Sequence, residues 1–216
     1  MIKFIFYIFI SFLSISNFSN AFANNGYVSI KYGISEHDLD VTAGHGTVTS
    51  SNDDEGYILS GGAFIGNNWG VDVMYFDLGS SSIFVESQSI FRINKNNYMN
   101  NSGSSGTITN DISGYGTGLI LSTDPSSDDF LGFSAFVKGG VQAWEKSGST
   151  TILDNDKAFE AEFYNQGIGA YGGLGVSVNM SESISFDASY DIIGISNKGG
   201  FDNASSLLSA GLKLKF

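Results

Sequence analysis

Two histidines are the first place to look for catalysis. His37 and His45 lie in one polar stretch, and Ser35, Glu36 and Asp38 neighbour His37. A serine hydroxyl activated by an imidazole, itself oriented by a carboxylate, performs acyl transfer. Such neighbours are also what a solvated loop contains, so their closeness in sequence does not make a site. Two acidic runs, Asp53-Asp54-Glu55 and Asp154-Asn155-Asp156, carry the oxygen ligands that suit Ca²⁺. Neither has EF-hand spacing, and solvated acidic loop tips have the same composition. No metal, cofactor or catalytic residue is expected. A third group is placed differently: Lys31, Asp72, Lys138, Asp187, Asp191, Lys213 and Lys215 each interrupt a stretch that is otherwise alternately apolar.

Those stretches are strands. In the last one, Leu208, Ala210, Leu212, Leu214 and Phe216 lie on one side, and Ser209, Gly211, Lys213 and Lys215 on the other. Successive side chains of a strand point to opposite faces, so one face is apolar and the other wet. The same alternation recurs at about 27–35, 56–65, 69–78, 112–122, 130–144, 163–178 and 183–193, which makes eight strands. Gly66-Asn67-Asn68, Thr123–Asp129 with Asp124-Pro125, and Asn179-Met180-Ser181-Glu182 read as short turns. The other connections are long and polar: about 36–55, 79–111, 145–160 and 194–203. Within the second of these, Ile90-Phe91-Arg92-Ile93 reads as a short strand extension.

The first residues read as an export signal. Lys3, an apolar run from Phe4 to Leu13 and the small-x-small site Ala21-Phe22-Ala23 predict cleavage after Ala23, with a domain over 24–216. The apolar run is short of the roughly 20 residues of a membrane-spanning helix. The absence of cysteine rules out a disulfide framework. Twenty-eight glycines and many Ser and Asn argue for strands and loops rather than helices. Without Lys3, nine basic residues stand against 22 acidic ones, a net charge of −13. That balance argues against nucleic acid as a partner, since phosphate is met by lysine and arginine.

Strand length, loop order and the placement of charge decide between a soluble β-protein and a membrane barrel. About ten residues per strand suits a tilted bilayer crossing. Connections that alternate long and short suit a barrel with loops on one side of a membrane and turns on the other. The charges fall opposite the apolar face. The exception, Asp77, shares a face with Tyr75 but lies beyond it. A charge facing lipid costs about 2–4 kcal/mol at the midplane. Tyr32, Tyr57, Tyr75, Tyr115 and Tyr190 mark the outer end of the apolar band, and Trp69 and Phe216 the inner end, the two aromatic girdles of a membrane barrel. The fold class is therefore all-β: an eight-stranded antiparallel up-and-down transmembrane β-barrel. Its interior is about wide enough for its own side chains, with Phe136, Gln142, Tyr171 and the inner charges as filling.

Gly70–Gly79, Phe136–Gly140 followed by Trp144, and Gly175–Asn179 through Ser189-Tyr190 together resemble the OmpA-like eight-stranded outer-membrane barrel family. The resemblance covers the chain after the signal and implies the barrel without the periplasmic peptidoglycan-binding domain of longer members. It implies location in the outer membrane of a Gram-negative cell, with outer-membrane lipid and lipopolysaccharide as surroundings. It also implies a C-terminal signal, Leu212, Leu214 and Phe216, read by the barrel-assembly machinery. Family members carry an ionic network inside the barrel. Here Asp72 and Lys138 match it, Asp187 stands where the family has a basic residue, and Lys31 joins them. The expected pairing shares Lys138 between Asp72 and Asp187. Barrel enzymes that modify lipid A need histidine with serine near the outer rim; one of them places that pair on late strands, where this chain has no histidine. The resemblance thus implies a structural or surface-interaction role, with loops available to an extracellular ligand and no open pore. A small-solute channel is the alternative, and a lipid A-modifying enzyme a more distant one.

Overall fold

In a computed structural model, the described residues are 25–38, 41–65, 68–93, 96–100, 103–123, 131–154, 157–195 and 204–216. Residues 1–24, with the expected export signal, and Gly66-Asn67, Asp124-Pro125 and Asn155-Asp156 lie outside them. Among the described residues there are twelve strands: β1 (Gly26–His37), β2 (Val41–His45), β3 (Val48–Ser51), β4 (Asp53–Phe64), β5 (Trp69–Val85), β6 (Ile90–Ile93), β7 (Asn96–Met99), β8 (Gly106–Ser122), β9 (Phe133–Asp154), β10 (Lys157–Asn179), β11 (Ile184–Gly194) and β12 (Ala204–Lys215).

Eight of them close a barrel. The order β5-β4-β1-β12-β11-β10-β9-β8 returns to β5 through the β5–β8 pairing, and every ladder is antiparallel. Closure lies between the first and last strands, where Tyr27 pairs with Lys215 and His37 with Ser205. Backbone bonds between Gly26 and Phe216, at 2.8 and 3.0 Å, complete that seam.

The alternation of the sequence becomes inside and outside. Val28, Ile30, Tyr32 and Ile34 of β1, Leu119 and Leu121 of β8, and Leu208, Leu212 and Leu214 of β12 are all exposed. The residues between them are buried, among them Ser29, Lys31, Ile120 and Ser209. The tyrosine belt is continuous over three strands: ring centroids are 5.9 Å apart for Tyr57–Tyr75 and 5.0 Å for Tyr75–Tyr115. Asp77 closes the β5 face at a bulge, where its carboxylate accepts the Gly79 N–H at 2.9 Å. Gly79 has φ +68°, a conformation that suits a residue without a Cβ.

The long polar connections are more ordered than composition implies. The stretch 145–160 is no loop: β9 and β10 stay paired up to Asp154↔Lys157. β5 and β8 likewise continue past the tyrosine belt to Val85↔Gly106. Ile90–Ile93 is a strand, but it extends no barrel strand; it lies between β2 and β7 in a separate three-stranded sheet. β3 pairs with β5 over Val48↔Val85 to Ser51↔Ser82. The physical reason is a second small core: Ile83, Val85 and Phe91 are buried, with Val41, Val48 and Ile108 packed against them. Glu86 ties the first two connections together, donating its N–H to the Thr47 carbonyl at 3.0 Å and accepting the Thr47 N–H at 3.1 Å. Hydrogen bonds from the Thr47 hydroxyl and N–H hold the Glu86 carboxyl below the usual carboxylate range.

The band and the ordered extension differ in their tolerance of charge. Leu119→Arg, in mid-band, should lower unfolding stability in liposomes by about 2–4 kcal/mol. Thr109→Arg, on the same strand face beyond the belt, should change it by less than about 0.5 kcal/mol. Urea titration read by gel mobility measures both.

Candidate functional site

The barrel interior holds the charged residues singled out by the sequence. It is layered. Toward the long-loop end, Ile58, Met74, Phe76, Leu78, Ile112, Trp144, Tyr171, Ile193 and Leu207 form one contiguous buried cluster. Toward the short-turn end, Tyr27, Phe64, Ile120 and Phe136 form another. Charged and hydroxyl groups lie among and between these layers.

Lys31, Asp72, Lys138 and Asp187 are all buried on the inner face. Their pairing differs from the one expected. The shared carboxylate is Asp191, whose oxygens meet Lys138 at 2.9 Å and Lys31 at 3.4 Å. Ser189 joins the pair, accepting from Lys31 Nζ and donating to Asp191 Oδ2 at 2.7 Å. Asp187 pairs with Lys213 at 3.1 Å and accepts the Ser177 hydroxyl at 2.6 Å. Asp72 is held by phenols, accepting from Tyr27 at 2.6 Å and Tyr171 at 3.4 Å. The sharing of Lys138 between Asp72 and Asp187 is therefore corrected. Strand register is the cause: Asp191 lies one inward residue beyond Ser189, level with Gly173 and hence with Lys138.

Lys31, Lys138 and Lys213 thus stand beside Asp191 and Asp187, with Asp72 held by the two phenols. The ammonium groups also lie over rings: Lys31 and Lys213 at 5.9 and 5.7 Å from the Phe136 centroid, and Lys138 at 6.0 Å from that of Tyr171. Ions taken out of water need both charge partners and hydrogen bonds, and the hydroxyls, phenols and ring faces supply them. The inner glycines make room. A Cβ at Gly173 would strike the Asp191 carboxylate.

The two histidines lie on different strands, His37 on β1 and His45 on β2. His37 is buried, and its Nε2–H donates to the Leu78 carbonyl at 3.2 Å, leaving Nδ1 to accept the Ser205 hydroxyl at 3.0 Å. This serine–histidine contact joins β1 to β12, but Ser205 is itself only 2% exposed. Glu36 and Asp38 are exposed beside inward-facing His37, and His45 lies on β2, paired with Ile90. Of the acidic run on β4, Asp54 accepts the Ser80 hydroxyl at 2.9 Å. Among the described residues, no three metal-ligating side chains converge.

At the short-turn end a small opening is lined by Ser122, Ser134, Ser177, Ser185, Lys213 and Lys215. Nearby, Asn179 accepts from Ser185 at 2.8 Å and from Lys215 at 3.3 Å. Leu212 and Leu214 face outward beside Ile30 and Val28 of β1, with Phe216 exposed at the seam.

Asp191 missed selection because alternation shows which residues face inward but not which strands bring them level. Two aspartates of β11 face inward, and only the pairing with β10 and then β9 distinguishes them. Asp191→Asn leaves two buried lysines against a neutral amide. It should cost about 3–5 kcal/mol, more than Lys138→Met with its apolar replacement. The temperature at which each variant loses its folded gel mobility measures the order; equal losses would contradict the shared role of Asp191.

The sequence profile of the outer membrane protein β-barrel domain matches residues 5–216. No curated protein sequence matches this chain. Among solved structures, OprG of Pseudomonas aeruginosa aligns at 12% identity and TM-score 0.49, covering 89% of this chain and 96% of its own. Ail of Yersinia pestis aligns at 13% and 0.45, covering 89% and 99%. The N-terminal barrel domain of P. aeruginosa OprF aligns at 13% and 0.44, covering 89% and 98%. With its profile match spanning nearly the whole sequence and its eight strands closed antiparallel, the chain belongs to the outer membrane protein β-barrel domain family.

Proposed function

We propose that this protein is a sealed outer-membrane barrel whose role is structural and surface-directed, presenting its long connections outside the cell. The observation that carries this reading is the buried cluster of Phe76, Trp144, Tyr171, Leu207 and their neighbours across the interior. Water and ions do not pass a packed apolar layer, and the charges are held in pairs rather than spread along a lumen. An open porin-type interior is polar.

The second half of the reading rests on the ordered extension. β5, β8, β9 and β10 rise past the tyrosine belt as a paired wall, backed by its own small core. A rigid scaffold holding loops is the usual setting of a binding surface. Lipopolysaccharide and outer-membrane lipid surround the band in this reading, and the apolar side of β12, with Leu212, Leu214 and Phe216, serves recognition by the barrel-assembly machinery. The sequestered Ser205–His37 pair has no exposed carboxylate partner and opens to no substrate, which favours a non-enzymatic role.

Planar-bilayer recording tests the sealed interior. The wild-type protein should show no conductance above leak, and the double variant Phe76→Ala/Trp144→Ala should show discrete openings. Steady ion conduction by the wild type would replace this reading with the small-solute channel.

A further inference from the structure

The β9–β10 hairpin has one side that nothing described covers. β9 is flanked by β8 up to Gly106↔Ile152 and by β10 along its whole length. Among the described residues β10 pairs with β11 from Tyr171 onward. Among the described residues, no strand pairs with the other edge of β10 between Lys157 and Ile168. Residues 160–166 are exposed on both faces. A long unpaired edge is normally shortened, bulged or capped with lysine or proline. Over Glu160-Ala161-Glu162-Phe163-Tyr164-Asn165-Gln166 this one has neither bulge nor proline, and its charges are the two glutamates, with Lys157 at the tip of the strand.

Its two faces differ. Glu160, Glu162 and Tyr164 share the outward face, and the Tyr164 hydroxyl donates to Glu145 at 3.0 Å. Ala161 and Phe163 are on the opposite face, where Phe163 is 36% exposed. Register places Asp111 and Glu145 on the outward face as well, with Ser147, Ser149 and Thr109 between them, and neither lysine nor arginine stands there beyond the belt. Along a strand, Glu160 and Glu162 stand about 6.8 Å apart, the spacing of alternate residues in any added strand.

From this geometry we infer that this edge of β10, unpaired among the described residues, is a strand-addition site for an extended polypeptide in which basic residues alternate with apolar ones. Backbone N–H and C=O groups supply the affinity, as in other cases of strand addition. The basic side chains meet Glu160 and Glu162, and the apolar ones lie over Phe163. A second copy of this chain is a poor occupant, because the same edge would bring two more glutamates, and no lysine or arginine, to the outward face. The inference deepens the surface-directed reading and rests on it, since the hairpin must stand outside the cell.

The test uses the full-length barrel in nanodiscs and three synthetic peptides. One alternates lysine and valine, one carries the same residues in two blocks, and one is the alternating peptide N-methylated at every residue. The alternating peptide should bind and slow hydrogen exchange at residues 160–166. Glu160→Lys/Glu162→Lys, with folded gel mobility retained, should weaken binding tenfold or more, and N-methylation should abolish it. Equal binding of the block or N-methylated peptide would overturn the inference, as would failure of the alternating peptide to bind. Light scattering showing a dimer that the charge reversal leaves intact would also overturn it, by giving the edge to a second copy. Ser147→Cys separates the two levels, the chain having no other cysteine. Labelling of intact cells by a membrane-impermeant maleimide without peptide binding removes only the docking site. No labelling removes the surface orientation too.

Discussion

The structure depends on one constraint: a backbone in hydrocarbon must satisfy every N–H and C=O internally. Strands meet it only when the sheet closes, so β1 must find β12, the pair most distant in sequence. The register from Tyr27↔Lys215 to His37↔Ser205 is that closure. Once the cylinder exists, each strand's two-residue period has a single meaning: one set of side chains meets lipid, the other meets the opposite wall. The exposed leucines and tyrosines would be a liability on a soluble protein; around a membrane barrel they are the solvent-facing surface.

The interior follows from the same closure. Eight strands leave a space that side chains fill, so what points inward must pack and pair at once. Aromatic and aliphatic residues cluster toward both ends. Among and between them Lys31, Lys138 and Lys213 meet Asp191 and Asp187, and Asp72 meets two phenols, with hydroxyls and ring faces completing their shells. Asp191 is the centre of these contacts, because it alone is in reach of both Lys31 and Lys138.

Much of the barrel is legible in the sequence because lipid enforces alternation strictly. Val28–Ile34 and Leu208–Leu214 face outward as their periodicity predicts, and Phe136, Gln142 and Tyr171 fill the interior as expected. Two things were not legible. Register between strands is a three-dimensional quantity, so periodicity showed Lys138 and Asp191 as inward without bringing them together. Beyond the band, water replaces lipid and strict alternation is no longer required. The Ser, Thr and Gly of 145–160 therefore read as a loop, although their backbones pair to the tip. The small core of Ile83, Val85 and Phe91 escaped for a related reason: its apolar residues are scattered through the polar stretch 79–111, and Val41 and Val48, which pack against them, come from another.

The most direct measurement of where the apolar face lies uses the two tryptophans of the chain. Trp69 is 45% exposed on the outer face, and Trp144 is 3% exposed inside the barrel. In bilayers of brominated lipid, the Trp144→Phe protein, with Trp69 alone, should be strongly quenched. The Trp69→Phe protein, with Trp144 alone, should fluoresce as it does in unbrominated lipid. Quenching of Trp144 with Trp69 untouched would mean that the wall faces the other way, and would contradict a barrel whose apolar surface is turned to the membrane.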